Sequence, residues 1–288
     1  MTPKRTDAPS TVLVVGAAGT VGRHVALQLT ASGTRVRALT RQPDRARQPR
    51  YVQGDLLDPA SLEAAAHGTD AAFLVWPFAT AEGAAGAVKA LTGHVGRVVY
   101  LSSAAVRDVP GQRSESPGRP DAEIEELIAA SGVRHTFLRP HGFAANTLRW
   151  AEEIRTEAVV RGFGGAAGLN LIDERDIAAV AVRALVEDGH DGARYVLTGP
   201  ESPAQAEQVR IIGEAVGRPA RWEEIPREAA RHRMLDTGWP PAIVDGALDF
   251  IHARIAAPEP VTTTVQDVTG HPPRPLQAWA ADHAALFR

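Results

Sequence analysis

Short apolar runs alternate with amphipathic stretches over the first 140 positions of the chain. Runs that are apolar throughout, such as AAFLV, are typical of strands buried on both faces of a sheet. The stretches between them repeat apolar residues every three or four positions, which indicates helices. This alternation predicts right-handed βαβ units and a parallel sheet. The predicted strands are TVLVVG, TRVRALT, YVQGD, DAAFLVW, RVVYLSS and RHTFLRP, and the predicted helices are 20–32, 59–67, 80–91 and 121–131.

The pattern is less regular after about residue 140. We expect an α/β fold, a Rossmann-type doubly wound parallel sheet with a small C-terminal substrate-binding region. The expected division is a flexible N-terminus over 1–10, a dinucleotide-binding core over 11–140, and a mixed region over 141–288 that completes the sheet and forms the substrate-binding part. The later predicted elements are strands at 169–172 and ARYVLTG, and helices at 174–186, 203–216, 241–256 and 275–287. The polar segment 107–120 contains three prolines and is expected to be a mobile loop that acts as a lid.

Composition excludes several classes of function. The chain has 288 residues, a net charge of −3, a pI near 6.4 and no cysteine. Disulfides, thiolate catalysis and Cys-ligated metals are therefore excluded. The charge gives no general attraction to nucleic acid or to an anionic membrane, and no apolar run reaches the roughly 18 residues of a membrane span. The histidines lack metal-ligand spacing, so we expect no metal. Without a signal-peptide pattern or a membrane span, we expect a cytoplasmic location. We also expect a monomer or homodimer.

A glycine-rich stretch, GAAGTVG, follows the first predicted strand and opens the first predicted helix. Gly16 permits a tight turn, Gly19 permits close approach of a pyrophosphate, and Gly22 permits close packing of the helix on the strand. The helix N-terminus supplies N–H groups and a partial positive charge for phosphates. The context, more than the glycines alone, predicts a nucleotide site.

The end of the second strand indicates which nucleotide binds. NAD-preferring sites carry an acidic residue about 20 positions after the first glycine. Here no acidic residue lies between Gly16 and Asp44, and the strand ends in Thr40 and Arg41. An arginine there can hold a 2′-phosphate through two hydrogen bonds. We therefore expect NADP(H) to be preferred over NAD(H). Arg37, earlier on the strand, is expected to be a solvated residue.

Further motifs run through most of the chain in a fixed order. They are LTRQPDRA, YVQGDLLDPASLEAAAHGTDAAFLV, VVYLSSAAV, IEELIAASGVRHTFLRPHGFAAN and IDERDIAAVAVRAL. Together with GAAGTVG, they resemble the NmrA-like, atypical branch of the short-chain dehydrogenases/reductases. That family includes quinone reductases, isoflavone-reductase-like enzymes and regulators that sense the nucleotide without catalysis.

The resemblance implies a set of cofactor contacts at the carboxyl ends of the strands. The pyrophosphate would meet Gly16, Gly19, Thr20 and Val21. The remaining contacts implied are Asp55 and Leu56 beside the adenine, Trp76 and Pro77 along the cofactor, Ser102 beside the nicotinamide ribose, and Pro140, His141 and Phe143 near the nicotinamide.

The usual catalytic acid of the superfamily is missing from the sequence. A tyrosine with a lysine four positions later would protonate the substrate oxygen. None of Tyr51, Tyr100 and Tyr195 has that lysine, and Asp121 stands where relatives often keep a lysine. Tyr100 is expected to point away from Ser102. The acidic run AEIEEL is interpreted as the solvated face and first turn of a helix.

Three interpretations remain open. In the first, the protein reduces a quinone or similar electron-poor acceptor, and water or a weak acid completes protonation. Alternatively, another acid acts: His141 is the best placed donor, and Ser102 could orient a substrate oxygen. In the third, the protein senses NAD(P) and reports to a protein partner without catalysis.

The aromatic residues of the C-terminal region bear on the substrate. They either line a flat apolar pocket for an aromatic or polyketide-like molecule, or close a small core. The residues concerned are Trp150, Phe163, Trp222, Met234, Trp239, Phe250 and Trp279. We expect a small, apolar or aromatic substrate and no nucleic-acid partner.

Overall fold

A computed structural model describes residues 11–41, 50–106 and 118–288 of the chain. The N-terminus at 1–10 and residues 107–117 of the predicted lid lie outside this range. The strands are β1 Thr11–Val15, β2 Arg35–Thr40, β3 Arg50–Gln53, β4 Ala71–Val75, β5 Arg97–Leu101, β6 Arg134–Pro140, β7 Gly142–Phe143, β8 Val159–Gly162, β9 Leu171–Ile172, β10 Ala193–Leu197 and β11 Arg221–Glu224. The α-helices are α1 Gly22–Ala31, α2 Pro59–Ala66, α3 Ala84–Thr92, α4 Arg119–Ala130, α5 Ala151–Glu157, α6 Glu174–Val186, α7 Gln205–Ala215, α8 Arg227–Asp236, α9 Pro241–Ala256, α10 Thr264–Thr269 and α11 Leu276–Asp282, and 3₁₀ turns cover Ala144–Trp150 and Ala284–Leu286.

Seven of the described strands form one sheet in the order β10-β6-β5-β4-β1-β2-β3. Every neighbouring pair is parallel. β1 has β2 on one side and β4 on the other, so the strand order reverses there. The carboxyl end of β1 is therefore the switch point at which sheets of this type bind ligands. The predicted Rossmann-type fold class is confirmed.

The described residues divide into two compact units. The first holds the described residues up to Pro140 with Glu174–Leu197 and Asp267–Gly270, and contains the seven-stranded sheet. The second holds His141–Asp173, Thr198–Gln266 and His271–Arg288, with two small parallel pairs, β7 with β9 and β8 with β11.

The C-terminal aromatics do not behave as one group. Trp150 and Trp279 are buried in the core of the second unit, the latter beside Phe287. Trp239 and Phe250 are instead 52% and 43% exposed. Core packing therefore explains part of the set only.

Most predicted elements are present, but several short ones were missed. α8, with the sequence REAARHRMLD, buries only Ala230, so it offers no apolar period. β11 has a single apolar residue, Trp222, and its partner β8 lies about sixty positions earlier. Short elements held by distant partners leave little local signal. In the described part of the chain, no helix is long and apolar enough to cross a membrane.

Candidate cofactor and catalytic site

The glycine turn after β1 is closed around the carbonyl oxygen of Gly16. Gly16 has a φ of +83°, and its carbonyl accepts the N–H of Gly19 at 2.8 Å. A Cβ on Gly22 would lie 2.2 Å from that oxygen and 2.7 Å from the Gly16 carbonyl carbon. Both atoms are backbone, so only glycine fits at position 22 without moving the turn.

The N-terminus of α1 follows this turn directly. Its capping residue, Val21, makes no side-chain cap, and the first turn has no acidic residue. Thr20 is exposed, whereas the Val21 side chain is buried. No capping side chain or carboxylate of this turn competes with an anion for the first helical N–H groups. The turn therefore fits a pyrophosphate.

The two arginines of the β2 region have different surroundings. Arg41 follows the last residue of β2 and is exposed. Arg37 donates from Nη1 to the carbonyls of Ala65 and His67, both at 2.7 Å. The expectation that Arg37 is merely solvated was wrong, because it binds the carbonyl end of α2.

Asp55 and Leu56 follow β3 in a tight turn. The Oδ1 atom of Asp55 accepts the N–H of Leu57 at 2.9 Å, and Leu56 is buried. Asp58 caps α2 by accepting the N–H of Ala60, as its sequence predicted. One carboxylate oxygen of Asp55 is therefore used in shaping the turn.

Trp76 and Pro77 follow β4. The indole Nε1 of Trp76 donates to the carbonyl of Thr80 at 2.7 Å. Its ring is buried in the core of the first unit and meets the ring of Phe78 edge to face, with centroids 5.1 Å apart. Pro77 is exposed.

Ser102, directly after β5, belongs to a buried polar group. Its Oγ donates to Glu125 Oε1 at 2.5 Å. Arg139 donates to both oxygens of the same carboxylate, from Nε at 2.9 Å and from Nη2 at 2.6 Å. Each of the three side chains is at most 6% exposed. Glu125, in the run interpreted as a solvated face, is thus an interior carboxylate paired with Arg139.

Tyr100 lies on the same side of β5 as Ser102. Its hydroxyl donates to Asp121 Oδ1 at 2.6 Å, and Asp121 stands one helical turn before Glu125 on α4. The expectation that Tyr100 points away from Ser102 was wrong, since both hydroxyls donate to carboxylates of α4. Burial and the Asp121 carboxylate raise the pKa of Tyr100 far above that of a free phenol.

The pKa of Asp121 is also raised, mainly by burial and further by Glu125, against the lowering effect of the Tyr100 hydrogen bond. A raised pKa in the folded protein means that stability is lost as the pH rises through that pKa. Asp121→Asn keeps an acceptor for Tyr100 but carries no charge. We expect its melting temperature at pH 7 to rise by about 2 °C. The gain should disappear near pH 4, where the unfolded-state carboxyl is about half protonated. Glu126→Gln, on the exposed face of α4, is the control, and an equal gain there would contradict the prediction.

His141, the residue after β6, is paired with a distant carboxylate. Its Nδ1 lies 2.6 Å from Glu259 Oε1, and both side chains are largely buried. Pro140 ends β6 and is buried, and its carbonyl accepts the N–H of Ala104 at 3.1 Å. Phe143, in β7, is half-buried.

The sequence did not reveal the partners of these residues. Glu125 and Arg139 surround Ser102, and Glu259 lies 118 positions from His141. The only local signal was the spacing of Asp121 and Glu125, which places both on one face of a helix. Over the described ranges, no group of three or more His, Asp or Glu residues is placed to hold a metal.

Comparison with known proteins places the chain in a family. A family model described as NAD(P)H-binding matches residues 16–188. A (4-alkanoyl-5-oxo-2,5-dihydrofuran-3-yl)methyl phosphate reductase of Streptomyces griseus is 39% identical over 283 residues, covering 96% of this chain and 99% of that protein. An NAD(P)H azoreductase of Xenophilus azovorans is 36% identical over 288 residues, with the same coverage of both chains. The crystal structure of an NADPH-dependent quinone oxidoreductase from Escherichia coli, complexed with NADPH, matches with a TM-score of 0.78 at 21% identity, over 94% of this chain and 99% of that one.

The fold and the glycine turn define an NAD(P)H-binding Rossmann protein, and the chain belongs to the NAD(P)H-binding family. The resemblance to NmrA-like atypical short-chain dehydrogenases/reductases is confirmed. The protein is an NAD(P)H-dependent oxidoreductase.

Proposed function

We propose that the protein uses NADPH to reduce a conjugated, electron-poor double bond, such as that of an enone, an unsaturated lactone or a quinone. The observation that carries this proposal is the hydrogen bond from buried Tyr100 to half-buried Asp121. A phenol held in this way, with a raised pKa, is a poor acid for a substrate oxygen. Conjugated acceptors suit such a site because their reduced anions are delocalised and need no strong acid during hydride transfer.

The relatives support the same kind of acceptor. By its name, the Streptomyces griseus protein reduces an unsaturated five-membered lactone that bears an alkanoyl group and a methyl phosphate. The Xenophilus azovorans protein is named for the reduction of azo compounds. Each acceptor has a double bond next to electron-withdrawing or conjugating groups. A small organic acceptor of this class therefore fits the present chain.

The cofactor is assigned to the carboxyl ends of the strands. When bound, NADPH supplies a hydride from C4 of its nicotinamide. The pyrophosphate is assigned to the backbone of the GAAGTVG turn, including Gly19, Thr20 and Val21. The other assigned contacts are Asp55 and Leu56 at the adenine, Trp76 and Pro77 along the cofactor, and Pro140 and Phe143 near the nicotinamide.

Ser102 is assigned a role towards the cofactor. Its hydroxyl hydrogen is donated to Glu125, whose two side-chain oxygens both accept hydrogen bonds from Arg139. The Ser102 oxygen therefore offers only lone pairs to a ligand. It suits a ribose hydroxyl or a carboxamide N–H, both of which donate. Protonation of the acceptor is assigned to His141.

Arg41 is assigned to the 2′-phosphate of NADPH. We expect Arg41→Ala to weaken NADPH binding by at least about tenfold, the loss of one charge-assisted pair, and to leave NADH binding unchanged. Calorimetric titration with both nucleotides measures the effect. Arg35→Ala, at the opposite end of β2, is the matched control. Equal losses of affinity for NADPH and NADH would contradict the assignment of Arg41 to the 2′-phosphate.

The reaction itself is tested by following NADPH absorbance with a panel of quinones, enones, unsaturated lactones and simple ketones. We expect turnover of the conjugated acceptors and none of the simple ketones. Tight NADPH binding without turnover of any compound would instead favour a nucleotide sensor. Rapid reduction of simple ketones would contradict the proposed preference for conjugated acceptors.

A further inference from the structure

Glu259 is fixed in place far more firmly than a surface carboxylate. Its N–H donates to the carbonyl of Gly168 at 3.0 Å, and its own carbonyl accepts the hydroxyl of Ser202 at 2.7 Å. The carboxylate Oε2 accepts the N–H of Asn170 at 2.7 Å, while Oε1 meets His141. Backbone and side chain are therefore both held.

The residue that holds the second oxygen is itself fixed. Asn170 is fully buried. Its Oδ1 accepts the N–H of Gly199 at 2.7 Å, and its Nδ2 donates to the carbonyl of Glu201 at 2.8 Å. A buried network with this many satisfied partners specifies one arrangement of its members. Glu259 thus presents one defined oxygen to the imidazole.

The contact with Glu259 determines which ring nitrogen of His141 carries the hydrogen. An ionised carboxylate only accepts hydrogen bonds, so Nδ1 of His141 carries a hydrogen. Nε2 is then the nitrogen that gains and loses a proton. A carboxylate behind a histidine orients the ring and stabilises the imidazolium in acid–base catalysis. Without such a partner, the ring could rotate and either nitrogen could carry the proton.

We infer that Glu259 is a positioning residue that holds His141 as the proton donor to the reduced acceptor. The inference rests on the proposed function. The hydride from NADPH forms a C–H bond at the β-carbon of the acceptor, and the π electrons move to give an enolate. The Nε2–H bond of His141 then breaks, and its proton goes to the enolate. His141 is left neutral with Nδ1–H still bonded to Glu259, and it takes its next proton from water.

Replacing Glu259 by glutamine tests its contact with His141 directly. Two donors, His141 Nδ1–H and the N–H of Asn170, both need an acceptor there. Glutamate offers two acceptor oxygens, whereas glutamine offers one oxygen and an NH₂ group. Glu259→Gln must therefore either turn its NH₂ towards Asn170 or turn it towards His141 and force the other tautomer. Glu214→Gln, in an exposed pair with Arg210, is the matched control.

The experiment compares His141→Gln, Glu259→Gln, their double variant and Glu214→Gln with the wild type, using 2-cyclohexenone and NADPH. We expect kcat to fall by about 10²-fold in each single site variant, with NADPH affinity within about twofold of wild type. The double variant should be no slower than His141→Gln, because Glu259 acts only through His141. A wild-type kcat in Glu259→Gln, or a double variant that loses the product of both factors, overturns the inference.

Nitrogen NMR of the histidine ring gives a readout that does not need turnover. The wild type should show His141 with hydrogen on Nδ1, and Glu259→Gln should change that tautomer or broaden its signals. A hydrogen found on Nε2 alone in neutral wild-type His141 overturns the positioning role. A wild type that reduces none of the acceptor panel overturns the proposed function, and with it the proton-donor role, whatever the tautomer.

Discussion

Gly22→Ala is expected to weaken NADPH binding by about one to two orders of magnitude. The new methyl carbon would lie 2.2 Å from the Gly16 carbonyl oxygen, so the turn or the start of α1 has to move. Overpacking of this kind costs about 1–3 kcal/mol, and each 1.4 kcal/mol is about tenfold in affinity. The N–H groups that we propose for the pyrophosphate belong to the segment that moves. The loss should therefore appear in binding as well as in stability.

The matched control is Gly246→Ala on α9, where nothing lies within 4 Å of the added methyl. That change should leave NADPH binding unchanged. It should stabilise the exposed helix by about 1 kcal/mol, because alanine has a higher helix propensity than glycine. Titration with NADPH and the cofactor-induced rise in melting temperature measure both variants. If Gly22→Ala binds NADPH as the wild type does, the pyrophosphate does not sit on this turn.

Arg139→Met is expected to lower the free energy of unfolding by about 3–5 kcal/mol, because it leaves the Glu125 carboxylate buried without a cation. Both partners are at most 6% exposed, so water cannot replace the guanidinium without opening the fold. Urea unfolding followed by tryptophan fluorescence measures the loss.

The double variant Glu125→Gln, Arg139→Met shows how much of the stability lost in Arg139→Met comes from the unpaired charge of Glu125 and how much comes from lost packing of Arg139. Glutamine still accepts the Ser102 hydroxyl but has no charge to desolvate. We expect it to recover most of the stability lost in Arg139→Met. A double variant no more stable than the single one would show that the guanidinium stabilises the protein mainly through its other contacts.

The parts of the molecule that follow from neighbouring residues could be predicted from the sequence. The β1–turn–α1 unit is local: an apolar run, three glycines and a helical pattern fix it, and the contacts around Gly16 and Gly22 agree with that pattern. The parallel sheet follows from the alternation of strands and helices along the chain. The cap at Asp58 is likewise a contact between residues two positions apart.

The partners of the site residues could not be predicted, because they come from distant segments. Glu125 was interpreted as solvated because it belongs to the acidic run AEIEEL, whose carboxylates suit the first turn of a helix. Composition alone cannot show which of these carboxylates faces the sheet. The burial of Glu125 depends on Arg139 of a neighbouring strand. The Glu259–His141 pair depends on a fold that joins residues on either side of α6. Long-range polar contacts leave no period in the sequence.

The seven-stranded sheet takes its last strand, β10, only after the chain has left the first unit at Pro140 and returned to that unit at Glu174. β6 and β10 pair directly, from Thr136 with Ala193 to Pro140 with Leu197. The excursion between them can lengthen, shorten or change its side chains without disturbing that register. Substitutions in the inserted segments can therefore change the side chains offered to a substrate while the nucleotide-binding sheet keeps its strand order.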